Sequence, residues 1–304
     1  MIMITGATGN IGRELARELD TMGANFRILV RDPSRAEGLP GQAERFIGDL
    51  GKPATLMPAF NGVEKLFLLT QGISTDYAAF AVAAAKAARV QHIVFVSSYS
   101  VLSKPMPAMA RWHHEREEII RASGIPATFL RPSGFMTNAL DWLPTIREGG
   151  YVIDPISPGR YAPIDPADIA AVAALVLTTD GHEGKEYAPT GHEMITVAEQ
   201  VQIIAETIGC VIEVREAATP AEIIRSRFPN GAPQPLADAI TEGFRLMRTD
   251  TVGFRTDTVE RLLGRRPRTF ADWCTRNADA FQRACTEFEA RSSRTVSRNP
   301  STAE

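Results

Sequence analysis

Cysteine is scarce in this chain: Cys210, Cys274 and Cys285 are all that 304 residues hold, unevenly spaced and without a C-x-x-C pair. Three thiols cannot staple a chain of this length, which excludes a disulfide framework and fits a reducing compartment. No apolar run approaches the ~20 residues that span a bilayer, and Met1 leads directly into an apolar segment without the charged and apolar regions of a secretion signal. A cytoplasmic protein, neither exported nor embedded, is expected. Positive charge is not in surplus either: the net charge of -3 leaves no electrostatic footprint for nucleic acid, so no nucleic-acid partner is expected. No internal repeat is visible.

Against these absences, 44% apolar and 23% charged residues describe an ordinary globular chain, long enough for one large α/β unit with an added lobe. The most informative segment comes first. Met1 to Thr5 reads as a strand, and Gly6-Ala7-Thr8-Gly9-Asn10-Ile11-Gly12 follows it into a helical pattern with Ile11, Leu15 and Leu19 on one face. Gly6 permits the tight turn, Gly9 a close backbone approach to a phosphate, and Gly12 close helix–strand packing, with the helix N-terminus facing the negative charge. The apolar run before the loop and the helix after it are the context that a dinucleotide fingerprint requires.

Further strand-like runs at Asn25–Val30, Arg45–Ile47, Lys65–Leu69, His92–Ser97 and Ala127–Leu130 alternate with helical or alanine-rich segments, among them Tyr77–Ala88. That alternation predicts a parallel, doubly wound sheet covered on both faces. After Arg131 prolines cluster, from Pro132 to Pro166, and a substrate lobe is expected to begin. Asp165-Pro166 reads as a helix cap with proline at the first helical position, returning the chain to the sheet. Helices are expected at Thr196–Ile208, Pro220–Arg227, Leu236–Met247 and Thr256–Leu263, and the loop Asn230–Pro235 reads as a lid or a protein-binding surface. The predicted organisation is a dinucleotide-binding domain over 1–134, its sheet completed by parts of 161–195, and a smaller, mostly helical C-terminal lobe over 135–160 and 196–290. The serine- and arginine-rich stretch 291–304 is expected to be a disordered tail.

At the end of the second strand, where an acid would bond the ribose 2′-hydroxyl of NAD, stands Arg31, with Arg35 four residues on. Two cations favour a 2′-phosphate, so NADP(H) is the expected cofactor and NAD(H) the alternative. Asp32 is the competing ribose acid, or else the cap of a helix that starts at Pro33. Asp49 and Leu50 close the third strand, where Asp49 either accepts from the adenine amine or caps a helix. Leu69, Thr70 and Gln71 close the fourth, at the carboxyl edge where open α/β sheets bind ligands.

His113 and Glu117 lie one helical turn apart and could pair, with the histidine near its working pKa; an ordinary surface pair is the alternative. The run His113-His114-Glu115-Arg116-Glu117-Glu118 is not H-E-x-x-H, and consecutive histidines face different sides of a helix, so no metal is expected. No G-x-S-x-G elbow supports hydrolysis. Tyr99, after Ser97-Ser98, is placed to reach a substrate or to pack. Phe135, Met136, Asn138, Trp142 and Tyr161 are candidate walls of an apolar pocket, or ordinary core. Trp273 and Phe281 read as core residues of a last helix, and Cys274 has no visible activating partner.

Taken together, Thr5 to Gly12, Val30-Arg31-Asp32-Pro33, Leu68-Leu69-Thr70, Trp112-His113 before Glu117, Ser123-Gly124-Ile125-Pro126, Leu130-Arg131-Pro132 and Phe135-Met136-Thr137-Asn138 resemble the NmrA-like group of atypical short-chain dehydrogenases over about residues 1 to 285. The resemblance implies a Rossmann-type fold and NAD(P) binding. It carries the glycine loop (Gly6, Thr8, Gly9, Asn10, Ile11, Gly12) onto the pyrophosphate and Arg31 and Arg35 onto the 2′-phosphate. Ser97, Ser98 and His113 fall at the nicotinamide ribose, and Pro132, Ser133 and Phe135 beside the nicotinamide. The wider superfamily's Tyr-x-x-x-Lys pair is replaced by Met109 and His113. The usual proton donor is therefore missing, and His113, Tyr99 or water must stand in. An NAD(P)H-dependent oxidoreductase acting on a small apolar acceptor such as a quinone, enal or aromatic carbonyl is expected, as a monomer or homodimer. The alternatives are a dinucleotide sensor without turnover and a non-redox biosynthetic enzyme on the same scaffold.

Overall fold

The computed structural model describes residues 1–298 except Ala218, Pro229 and Thr251, without the side chains of Arg227 and of 294–298. The chain runs through β1 (Ile2–Ile4), α1 (Asn10–Thr21), β2 (Phe26–Val30), β3 (Glu44–Ile47), α2 (Leu56–Phe60), β4 (Lys65–Leu68), α3 (Asp76–Ala87), β5 (His92–Val96), α4 (Ala108–Ala122) and β6 (Ala127–Leu130). It continues with α5 (Leu143–Gly149), β7 (Tyr151–Asp154), α6 (Pro166–Thr178), β8 (Glu186–Tyr187), α7 (Val197–Ile208) and β9 (Glu213–Glu216). The last helices are α8 (Pro220–Arg227), α9 (Gln234–Met247), α10 (Thr258–Leu263) and α11 (Phe270–Arg298).

The larger of two compact units comprises 1–135, 164–192 and 255–267. Its seven strands are all parallel, in the order β3-β2-β1-β4-β5-β6-β8. The order reverses between β1 and β4, and the crevice at the carboxyl ends of those two strands is where such sheets take their ligand. Alternate strand residues feed two cores, as the two-residue period dictates. Ile2, Ile4, Ile28, Phe67, Val94 and Leu130 meet α1 and α6 on one face; Met3, Leu29, Leu66, Leu68, Phe95 and Phe129 meet α2, α3 and α4 on the other. Ile11, Leu15 and Leu19 of α1 are all buried, each contributing about 1.5–3 kcal/mol of burial. Asp165 caps α6 by accepting from the Ala167 N–H at 2.9 Å, with Pro166 at the first helical position, as its sequence predicts.

Residues 255–267 group with this unit, whereas the sequence places them in the lobe: Val259 of α10 is buried in the first core, and Arg265 pairs at 2.8 Å with the fully buried Asp168 of α6. The smaller unit comprises 136–163, 193–254 and the chain from Arg268 onward. Its core joins α5, α7 and α11, with Phe270 stacked on Trp273 and Trp273 edge-on to Phe281. It also contains a two-stranded parallel sheet of β7 and β9 that the sequence did not announce; β9 is Glu-Val-Arg-Glu, and all four residues are exposed. The expected disordered tail is corrected over 291–298, where α11 keeps helical backbone through Arg298. Extending an established helix costs far less than nucleating one, and alanine, arginine, glutamine and glutamate dominate the turns before. Residues 299–304 lie outside the described part.

Candidate cofactor site

The glycine loop leaves β1 with Gly6 at φ +68°, a backbone that side chains rarely adopt. A Cβ on Gly12 would collide with the Gly6 carbonyl oxygen and reach 2.7 Å from the Ala7 Cα, so the first turn of α1 and the loop are in backbone contact. Gly9 is the N-cap of α1; the helix starts without a capping side chain and without an acid in its first turn. An uncapped, unneutralised helix start behind a glycine cradle fits a bound pyrophosphate. Ile11 contributes its side chain to the core, which leaves only its backbone for a ligand. Thr5 ties the loop across the crevice: its Oγ1 accepts from the Leu69 N–H at 2.9 Å and donates to the Phe67 carbonyl at 3.2 Å. The hydroxyl of Thr70 is buried beside it without a partner among the described residues.

At the end of β2, Arg31 and Arg35 are exposed, with no ion pair among the described residues. Asp32 is engaged otherwise. Its Oδ1 accepts from the Ser34 N–H at 2.9 Å and from the Ser34 hydroxyl at 2.8 Å, capping a 3-10 turn over Pro33–Ala36 and holding its carboxyl below the usual range. The capping reading of Asp32 therefore prevails, and the ribose-acid position is left to cations. At the end of β3, Asp49 Oδ1 accepts from the Gly51 N–H at 2.9 Å, closing a turn; Leu50 packs on the second core, and Gln71 is exposed after β4.

At the carboxyl ends of β5 and β6 the functional side chains hang on an ionic network. Glu117 of α4 is fully buried and receives two bonds from Arg131, at 2.9 and 2.6 Å, and one from Arg121 at 3.0 Å. Both arginines reach Glu186 of β8 as well. Burial raises the Glu117 carboxyl, but Arg131, Ser97 and Arg121 outweigh it and hold the group below the ordinary carboxylate value of 4.5. The Ser97 hydroxyl lies beside that carboxylate, buried and without an aligned hydrogen bond. Ser98 accepts from the Ser100 N–H and pairs with its hydroxyl at 2.9 Å, capping a 3-10 turn that starts at Tyr99. The Tyr99 N–H donates to the Pro132 carbonyl at 3.0 Å, and burial pushes its phenol above 10. The Ser133 N–H donates to the Pro189 carbonyl at 3.1 Å, and Phe135 packs on the first core.

The expected His113–Glu117 pair is corrected: Glu117 is taken by Arg131 and Arg121, whose charge-assisted bonds outcompete a neutral imidazole. Burial, aided by the Arg116 charge, lowers His113 to about 4, and its Nδ1 is buried without a partner among the described residues. A histidine that is neutral when folded and titrates near 6.5 unfolded binds protons in the unfolded state first. Stability is therefore whole above pH 6.5 and falls between 6.5 and about 4, by about 3 kcal/mol at most. Denaturant titrations at pH 7 and pH 4.5 should show a smaller acid loss in His113→Gln than in the wild type; equal losses would refute the assignment.

The remaining candidate walls belong to the smaller unit, where Met136 and Tyr161 are buried in its core, Trp142 packs against that core and Asn138 is half-buried. Sequence reasoning missed Arg13 and Arg116. The first stands directly after the last loop glycine, which was a usable signal. The second is a fully buried guanidinium that donates to the carbonyls of Gly72 and Ser74, and nothing in its neighbours announces it. Burial pushes the thiols of Cys274 and Cys285 up to about 12, so neither is a ready nucleophile. Among the described residues no cluster of three or more histidine, cysteine or carboxylate groups could hold a metal.

A parallel sheet with a switch point, a glycine cradle and an uncapped helix start define a dinucleotide-binding α/β protein. The NAD(P)H-binding family matches residues 6–180. The (4-alkanoyl-5-oxo-2,5-dihydrofuran-3-yl)methyl phosphate reductase of Streptomyces griseus is 37% identical, over 92% of this chain and 99% of its own. The NAD(P)H azoreductase of Xenophilus azovorans is 35% identical over the same shares. Among solved structures, the Escherichia coli NADPH-dependent quinone oxidoreductase complexed with NADPH superposes with a TM-score of 0.79 at 29% identity, covering 91% of this chain and 99% of that one. The chain belongs to the NAD(P)H-binding family, within the NmrA-like atypical short-chain dehydrogenases, and is an NAD(P)H-dependent oxidoreductase. No helix among the described residues is long and apolar enough to cross a membrane.

Proposed function

We propose that the protein is an NADPH-dependent reductase of small, apolar, conjugated acceptors such as quinones, enals or aromatic carbonyls, working in the cytoplasm as a monomer or homodimer. The observation that carries the reading is a complete nucleotide cradle combined with an α4 helix that lacks the Tyr-x-x-x-Lys pair. The nicotinamide, when bound, supplies the hydride. The protein binds and orients it. Gly6, Gly9 and the start of α1 receive the pyrophosphate, Arg31 and Arg35 the 2′-phosphate, and Thr5 holds the ends of β1 and β4 in register. His113, neutral at pH 7, offers its buried Nδ1 side to a hydrogen bond rather than serving as an acid. Tyr99, whose phenol is raised by burial, is likewise a weaker acid than in water.

With no matched general acid, the chemistry suits quinones and enals best, whose reduction leaves a delocalised anion that water protonates; an aromatic carbonyl leaves a localised alkoxide and is the more demanding acceptor. The names of two relatives support conjugation in the acceptor: one is the reductase of an alkanoyl furanone carrying a phosphate ester, the other an azoreductase. Arg31→Ala is expected to weaken NADPH binding about 10- to 100-fold, the worth of one or two charged hydrogen bonds, while NADH affinity stays within about 3-fold. Calorimetry with both nucleotides, followed by NADPH oxidation against a quinone and an enal, tests this. Tight NADPH binding with no turnover of any acceptor would replace the reductase with a dinucleotide sensor.

A further inference from the structure

The connection after β2 is anchored at its far end, where Ala36 and Leu39 are buried in the first core, but Pro33 to Arg35 before them are exposed on a single 3-10 turn capped by Asp32. A second tie comes from Arg13, the residue directly after the last loop glycine. The Arg13 Nε donates to the Thr8 carbonyl of the glycine loop at 3.2 Å, Nη1 to the Glu37 carbonyl at 3.2 Å and Nη2 to the Arg35 carbonyl at 3.0 Å. A guanidinium has five N–H donors in a rigid planar fork. These bonds use three, and no carboxylate lies within ion-pair distance of Arg13 among the described residues. One half-buried cation therefore ties the loop for the pyrophosphate to the loop for the ribose phosphate, with its charge uncompensated and two donors unused.

We propose that Arg13 is a specificity-determining residue, the strap that holds the Arg31–Arg35 segment in position for a 2′-phosphate and the third cation of that subsite. Thr8, Arg35 and Glu37 offer only carbonyl oxygens, which do not neutralise the cation, and a fork of fixed geometry reaches all three. A lysine has the charge but not the fork. The contribution is selective for the 2′-phosphate, because the segment it braces carries the cations at the end of β2, whereas the pyrophosphate cradle is also fixed by Gly6, Gly12 and Thr5.

This inference rests on the NADPH reading and is tested apart from turnover, by binding of 2′,5′-ADP and 5′-AMP to the full chain in calorimetry and by the thermal shift each ligand produces. Wild type should bind 2′,5′-ADP at least 10-fold more tightly than 5′-AMP; no preference would overturn the NADPH reading and this inference with it. In Arg13→Met, 2′,5′-ADP should lose about 10-fold or more and 5′-AMP no more than about 3-fold. Equal losses for both ligands would reduce Arg13 to a general brace, and no loss for either would remove it from the subsite; each overturns the proposal. Arg13→Lys, which keeps the charge, guards against misfolding and should recover part of the affinity for 2′,5′-ADP. If it matches Arg13→Met in losing both ligands equally, the selective role fails.

Discussion

Glu117→Ala is expected to destabilise the protein by about 3–5 kcal/mol, because it strands the guanidinium of Arg131, only 7% exposed, with Glu186 as its remaining carboxylate. The carboxylate accepts two bonds from Arg131 and one from Arg121, and a neutral side chain cannot replace the charge. The double substitution Glu117→Leu with Arg131→Met removes both charges together and should be less damaging than Glu117→Ala alone, since the desolvation cost of each ion goes with it. Urea unfolding of the wild type and the two variants at pH 7 decides this. A double variant weaker than Glu117→Ala would mean that the network contributes net stability rather than only avoiding a buried, unpaired charge. The pH dependence has a defined sign. With its pKa below 4.5, Glu117 supports folding above that value and loses the contribution as the pH falls through the folded pKa. The consequence reaches the site, since Glu117 sits one turn from His113 on α4 and beside Ser97.

Gly12→Ala is expected to abolish measurable dinucleotide binding and to cost about 1–3 kcal/mol of stability, the usual range for forcing an extra carbon into a packed site. The added methyl meets backbone atoms of Gly6 and Ala7, which cannot rotate away as a side chain would. Either α1 moves off the loop or the loop opens, and both displace the cradle. Thermal denaturation with and without NADPH reads the two effects separately: the apo midpoint falls, and the ligand-induced shift disappears. A variant that keeps the full NADPH shift would show that the loop tolerates the displacement. The same substitution at Gly41, which meets nothing within 4 Å and has no positive φ, serves as a control for the added carbon.

Much of the larger unit was legible because its signals are local. The strand at Ala127–Leu130 falls where its apolar run places it, β1 to β5 differ from their expected bounds by a residue at one end or both, and the two-residue β8 was foreseen only as some part of 161–195; in the smaller unit the helix at Pro220–Arg227 falls where its proline places it. Asp165-Pro166 announces a helix cap because the cap bond is made two residues away. What was not legible is non-local. The β7–β9 pair joins short segments some sixty residues apart, and exposed Glu-Val-Arg-Glu has no hydrophobic alternation to reveal it. The His113–Glu117 pair was one reading of the helical spacing and failed because Arg131, just past the end of β6, claims the carboxylate. Asp32 was ambiguous until the Ser34 bonds showed how its oxygens are used.

By itself the sequence determined the fold class, the glycine cradle, the two arginines at the end of β2 and the absence of the usual tyrosine and lysine. Each of these depends on residue type at fixed spacing along one strand–loop–helix unit, and chemistry over a dozen residues suffices to specify it. Only the tertiary structure decided which charges are paired, which histidine stays neutral and that Arg13 spans two loops. Those outcomes depend on distances between segments remote in sequence and on how far water is excluded from each group, and neither is written in the order of the residues.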